Sequence, residues 1–142
     1  MTYTIDIPGI TALVHEEVSR VAGMAYSDDG ASLYDSIAIR SRDADTVSRM
    51  IRDAVDAIVA RTADICTYIP SPQSLSLFAP DMDSSKEPVV TAELTRAISL
   101  SAVAAWLKDR KPDRAAEYAD RANAALNEAV VILKTRKLPV RS

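Results

Sequence analysis

Cysteine, histidine, glycine and aromatic residues are all scarce in this chain of 142 residues. A single cysteine excludes an intramolecular disulfide, so nothing demands an oxidising compartment. One histidine beside one cysteine cannot supply a zinc site of His and Cys ligands, which needs several. The three glycines are scattered, and no Walker loop, G-x-G-x-x-G or G-x-S-x-G pattern occurs, which argues strongly against a glycine-rich phosphate cradle. No stretch reaches the ~18 consecutive apolar residues of a membrane span, so no membrane partner is expected. The N-terminus, "MTYTIDIPGITALVHEE", has no basic segment and no long apolar run, and does not read as a signal peptide. The expected location is the cytoplasm, or wherever a larger assembly carries the protein.

What the chain does have is alanine, roughly one residue in six. Alanine loses no side-chain entropy in a helix and glycine loses the most backbone entropy, so this balance favours helix. Hydrophobic residues make up 48% and charged residues 26%, ordinary values for a globular domain. The length suits one domain, residues 1–142, with a core that needs no staples.

Hydrophobic periodicity predicts four helices. Ile10, Val14, Val18, Val21 and Ala25 share a face over about 10–26, and "SDDG" at 27–30 stops that helix with turn residues. Ile37 and Ile39 alternate with small residues and read as a short extended piece. Asp43 or Asp45 can cap a second helix, whose stripe is Val47, Ile51, Val55, Ile58, Thr62 and Ile65. Pro70, Pro72, Pro80 and Pro88 then forbid a long helix across 67–90. Within that region "SLSLF" alternates at period two, the mark of a half-buried strand in a short β-hairpin or an extended arm.

Thr91 is the expected cap of a third helix, which is apolar on several faces through "AISLSAVAAWL" and therefore central. Pro112 opens a fourth helix that runs to about Lys137, with Ala115, Tyr118, Ala119, Ala122, Leu126, Ala129, Val130 and Leu133 in one stripe. The short turn between these two makes an antiparallel hairpin. The expected fold is mainly all-α: a four-helix bundle with the hairpin or arm inserted at 67–90 and a basic tail at 138–142.

Candidates for chemistry are few. Cys66 and His15 could form a nucleophile pair, but a lone cysteine is more often a small buried hydrophobe. Asp81, Asp83, Ser85 and Glu87 alternate like the start of a calcium loop. Lys86 stands where that loop needs Gly, and Ala92 where it needs a bidentate Glu, so a solvated turn is the better reading. Trp106 and Tyr118 fall on packed helical stripes and read as core anchors. No catalytic, cofactor-binding or metal-binding residues are assigned.

The C-terminus departs from the rest. The formal charge is −3; Lys134, Arg136, Lys137 and Arg141 contribute +4 with no acid after Glu128, so residues 1–128 carry −7. Such a tail can bind phosphates without sequence readout, meet an acidic patch on a neighbouring protein, or simply complement the end of the last helix. An acidic body argues against a dedicated nucleic-acid binder.

The segments "YDSIAIRSRDADTVSRMIRDAVDAIVARTADI" and "VVTAELTRAISLSAVAAWL", followed by "RAAEYADRANAALNEAVVILKTRKLPVRS", are similar in layout to the helices of small head–tail connector (neck or adaptor) proteins of tailed phages and prophages. The likeness spans most of the chain, although the insertion at 67–90 departs from the simplest members. It implies a helical adaptor that forms a homo-oligomeric ring between portal and tail and works by docking, without catalysis. Ile69, Leu75, Leu77 and Phe78 of the insertion, with the tail's Lys134, Arg136, Lys137 and Arg141, would then be the interaction residues. Portal and neck proteins would be the partners, and the tail could touch DNA non-specifically. The alternative is a generic helical protein-binding module unrelated to phage; a third reading is an enzyme using Cys66 and His15.

Overall fold

A computed structural model describes residues 2–70, 74–79 and 84–134. Its elements, in chain order, are β1 (Thr2–Asp6), α1 (Ile7–Gly23), α2 (Tyr34–Ile37), α3 (Ala44–Thr62), β2 (Thr67–Pro70), β3 (Ser74–Phe78), α4 (Glu87–Leu107) and α5 (Pro112–Leu133). The chain is mainly α-helical, as expected, with one small antiparallel sheet.

Helix α4 is the hub. Its buried residues, among them Leu94, Ile98, Leu100, Val103 and Trp106, lie all round it. Helices α5, α3 and α1 each pack against it, and β1 touches it as well. Four equivalent corners, as in a regular four-helix bundle, would give each helix two neighbours; here one helix serves three. By length and composition α4 is also apolar enough to cross a membrane, and in this fold that apolar surface forms the centre of the core. Helix α5 lies along α4 through Ala115, Ala122, Ala125 and Ala129, small side chains that let the two axes approach.

Some boundaries differ from the sequence reading, each for a local reason. Helix α1 starts one turn early because Pro8, in its first turn, needs no hydrogen-bond partner for the N–H it lacks. The same exemption moves the start of α4 back to Glu87, with Pro88 in the first turn, so Thr91 lies inside the helix instead of capping it. Asp43 stands at the N-cap of α3, but its Oδ2 accepts the Arg40 N–H at 2.9 Å, outside the helix. Ala54 takes the buried position expected of Val55, which is only partly covered. Helix α5 ends at Leu133, about a turn short of Lys137.

The segment expected to be extended near Ile37 is a single helical turn, α2, followed by a 3-10 turn at Ser41–Asp43. Its anchor is tertiary. The Trp106 indole N–H donates to the Ile37 carbonyl at 2.6 Å, and Ile37 itself is buried. The connection from α1 closes on a tight loop in which Ser27 N–H donates to Ala31 O and Gly30 N–H to Ser27 O. Gly30 adopts φ 85°, the left-handed region where a side chain would be strained. The "SDDG" residues do form the turn, but α1 has already ended at Gly23, short of the expected 26, so Ala25 is buried outside the helix.

The sheet has the order β1-β3-β2, antiparallel throughout. Strands β2 and β3 form the expected hairpin, with Thr67 opposite Phe78 and Ile69 opposite Ser76. Strand β1 was not anticipated. It pairs with the other side of β3, Thr4 opposite Ser76 and Asp6 opposite Ser74. The hairpin is thus completed into a sheet by the N-terminus and sealed onto the core, in place of a free arm. The signal for β1 lies in "TYTI", whose β-branched and aromatic residues favour a pleated surface.

Candidate interaction surface

Side chains alternate across a strand, so the register sorts the sheet into two faces. Ile5, Leu75, Leu77 and Tyr68 point inward. Ile5, Leu75 and Leu77 are 1%, 4% and 0% exposed. Thr4, Asp6, Ser74, Ser76, Phe78, Thr67 and Ile69 share the outward face. Two of these are apolar and solvent-facing, Ile69 at 64% and Phe78 at 41%. They sit diagonally across the β2–β3 ladder, a separation of about 7–8 Å between such positions. Asp6 is the one charged residue among these seven, and its carboxylate lies over the first turn of α1 beside Gly9.

Of the residues singled out for interaction, Ile69 and Phe78 are thus available. Leu75 and Leu77 are not: the Ser–Leu alternation that marks a half-buried strand turns both leucines into the core. Lys134 closes α5 and is exposed, its N–H donating to Val130 O at 3.1 Å. Arg136, Lys137 and Arg141 lie outside the described residues.

The sheet and the C-terminus of α5 belong to the same end of the molecule. Arg61, in the last turn of α3, donates to Asn127 Oδ1 of α5 at 3.2 Å, and α3 leads directly into β2. The opposite end carries the α4–α5 turn, Trp106 with its bond to Ile37, and the loop from Met24 to Tyr34. There the Arg110 guanidinium stacks 3.6 Å above the Trp106 ring and donates to the Trp106 carbonyl at 2.9 Å. Trp106 is 1% exposed, which bears out the core-anchor reading.

Tyr118 is also fully buried, but its hydroxyl serves a polar cluster that the sequence did not announce. It donates to Glu17 Oε2 at 2.8 Å and accepts from Arg20 at 3.2 Å, joining α1 to α5. Arg20 pairs with Glu17 at 2.6 Å, and Arg121 flanks the Tyr118 ring at 5.0 Å. Burial alone would raise the Glu17 carboxyl. The hydrogen bonds from Arg20 and Tyr118, with the charges of Arg20 and Arg121, outweigh it and hold the group below its ordinary value. Every charge in this cluster has a structural partner, so it reads as a clamp between helices.

Cys66 lies buried in the turn after α3. Burial, with Asp64 nearby, pushes its thiol up to about 11 against a partial offset from Tyr68. His15, half-buried on α1, is not among the groups acting on it. Tyr68 is itself pushed up to about 12 by burial, and its hydroxyl bonds Thr62 Oγ1. A nucleophilic cysteine needs the opposite shift and an accessible thiolate. In a thiol-reactivity assay at pH 7–8, the folded protein is expected to react slowly and the denatured protein at once. Fast labelling of the folded state would restore Cys66 as a nucleophile.

These two groups also set an alkaline limit. Both are neutral acids whose folded values lie above their ordinary ones, so their stabilisation is complete below the unfolded values and is lost as pH rises through the folded ones. The unfolded chain releases the thiol proton near pH 9 and the folded chain near 11; for Tyr68 the window runs from 10 to about 12. Melting temperature is expected to hold up to pH 9 and to fall above it. Cys66→Ala should flatten the pH 9–11 part of that decline, and an unchanged profile in the variant would contradict the assignment.

Among the described residues, no group of three His, Cys, Asp or Glu side chains is placed to hold a metal ion. Of the calcium-like run, Asp81 and Asp83 lie outside the described residues, Ser85 sits in a 3-10 turn and Glu87 opens α4. The surface depressions are open. One is an alanine-floored groove between Ala104, Lys108, Pro112 and Ala116, and another is a mixed-charge dip between Glu93, Arg96, Arg121 and Glu128. The outward face of the sheet exposes Ile69 and Phe78, and Met24, Tyr26 and Tyr34 are exposed in the loop at the opposite end. The chain matches no protein-family model, no curated protein and no solved structure.

Proposed function

We propose that this protein is a non-enzymatic assembly subunit, of the kind that docks between larger components as phage head–tail connectors do. The observation that carries the reading is the outward sheet face. Exposed Ile69 lies on the edge strand β2 and exposed Phe78 on the central strand β3 beside it, at the end of the molecule where α5 gives way to the basic tail. An edge strand offers backbone groups for pairing with another chain, and an apolar pair beside it adds contact area. Among the described residues, the Glu17–Arg20–Tyr118 cluster and the buried thiol have packing roles, which supports docking as the use of this surface. Charge opposition between the acidic body and the basic tail would set register and encounter rate more than affinity.

The connector assignment rests on the layout similarity of the helices. It is tested by purifying particles from cultures in which the prophage has been induced, and probing them with an antibody to this chain. Labelling at the neck, between head and tail, is the expected result. Particles that lack the chain would remove the phage reading and leave a helical binding module of other origin.

A further inference from the structure

We propose that the cleft between α4 and α5 around Arg96 and Ala124 docks a helix of a partner protein, one that carries an acidic, a basic and an apolar side chain at successive turns of one face. This is a second docking surface, built from other residues than the sheet face.

The cleft holds about 280 Å³ and is lined by Glu93 and Arg96 of α4 and by Arg121, Ala124, Ala125 and Glu128 of α5. The two helices run antiparallel from the short turn between Leu107 and Pro112, so Glu93 stands about level with Leu126 and Arg96 with Asn123. Glu128 lies just past the first level and Arg121 just past the second. The backbone thus places two acids at the sheet end of the cleft and two arginines toward the α4–α5 turn. At 1.5 Å per residue the opposite charges are offset by roughly 4.5 Å along α4 and roughly 10.5 Å along α5. Across the cleft, each charge faces its like.

These charges are not used within the chain. Among the described residues, Glu93, Arg96 and Glu128 make no ion pair or hydrogen bond. Arg121 flanks the Tyr118 ring and makes no ion pair there either. The contrast lies with two neighbours of identical spacing. Glu17 and Arg20 close at 2.6 Å, and Arg114 and Glu117 at 2.8 Å, both three residues apart. Glu93 and Arg96 have that spacing and stay open.

The floor suits a helix. Ala124 and Ala125 put small side chains between the charges, which lets a second backbone approach. Val89 and Val131, 48% and 62% exposed, lie one turn beyond the glutamates and offer apolar contact at that end. A helix repeats about every 5.4 Å. Glu, Lys and Leu at i, i+4 and i+8 would set a carboxylate against the arginines, an ammonium against the glutamates and a leucine against the valines. Complementary charge of this kind fixes register and rejects the reversed pattern. The alanine-floored groove on the other side of the hairpin has one charged residue, Lys108, and selects no polarity.

The probe is an alanine-based helical peptide of about 20 residues with Glu, Lys and Leu at those positions, titrated into full-length protein with isotope-labelled alanine methyls. The Ala124 and Ala125 signals should shift and give a submillimolar Kd. A control peptide with Glu and Lys exchanged should bind roughly tenfold more weakly or worse. The same loss is expected for Arg96→Glu with Glu128→Lys, which keeps the net charge but mixes the signs at both ends. Both residues are exposed, and melting curves within a few degrees of wild type exclude misfolding.

Unshifted Ala124 and Ala125 signals at millimolar peptide would overturn the inference. Equal affinity for the two peptides, or for the two proteins, would do the same. Shifts of those signals on dilution of the protein alone would assign the cleft to a second copy and equally overturn it. None of these results touches the sheet face, and labelling of particles bears on the connector reading alone.

Discussion

Replacing Trp106 with alanine is expected to lower the free energy of unfolding by about 4 kcal/mol, the upper part of the range for truncating a fully buried aromatic. The residue combines three roles. Its ring fills the core where α4 meets α2, its indole N–H satisfies the buried Ile37 carbonyl at 2.6 Å, and its outer face carries the Arg110 guanidinium. At this chain length such a loss corresponds to a fall in melting temperature of roughly 10–15 °C. Trp106→Phe separates the roles. It keeps much of the ring volume but leaves the carbonyl unpaired, which costs about 1–3 kcal/mol. Urea unfolding of both variants checks the assignment. A Trp106→Ala loss below about 1 kcal/mol would mean that α2 is not held by this contact.

Leu77→Ala is expected to cost about 2–5 kcal/mol, whereas Phe78→Ala, one residue along, should cost under about 1 kcal/mol. The contrast follows from parity. Leu77 is at 0% exposure on the inner face of the central strand, and Phe78 faces solvent opposite Thr67. Sliding β3 by one residue would exchange the two faces and expose both leucines, so the register is strongly determined. The effects should reverse for association. Phe78→Ala should weaken self-association of an otherwise stable protein, and Leu77→Ala should act only through stability. Equal destabilisation by both substitutions would refute the two-faced sheet.

Much of this fold was legible from residue spacing. Val14, Val18 and Val21 mark the buried side of α1, and Val47, Ile51 and Ile58 that of α3. The all-round apolar character of α4 identified the hub, and Pro112 located the α4–α5 turn. Periodicity works here because each helix presents a stripe to one core. It failed where tertiary contacts decide. Residues 34–37 have weak local preference, and their helical turn is fixed by a tryptophan from a distant part of the chain. Pro88 looked like a barrier but sits where a helix can tolerate it. Strand β1 is five residues long and gains its stability from pairing with β3, a partner over 60 residues away.

The candidate surface was legible in part. The alternation "SLSLF" predicted a half-buried strand but not which side the leucines take, so Leu75 and Leu77 were grouped with Ile69 and Phe78 as contact residues. The sheet register separates them. The Glu17–Arg20–Tyr118 clamp had no sequence signal, because its members come from helices a hundred residues apart.

The central claim is that this molecule acts by docking its sheet face and basic tail onto other chains. The most direct measurement is the native mass of the full-length protein as a function of concentration and salt. The account predicts masses that are multiples of 15.4 kDa, growing with concentration and reduced as salt screens the tail. A mass of 15.4 kDa at every concentration, unmoved by salt, would contradict it.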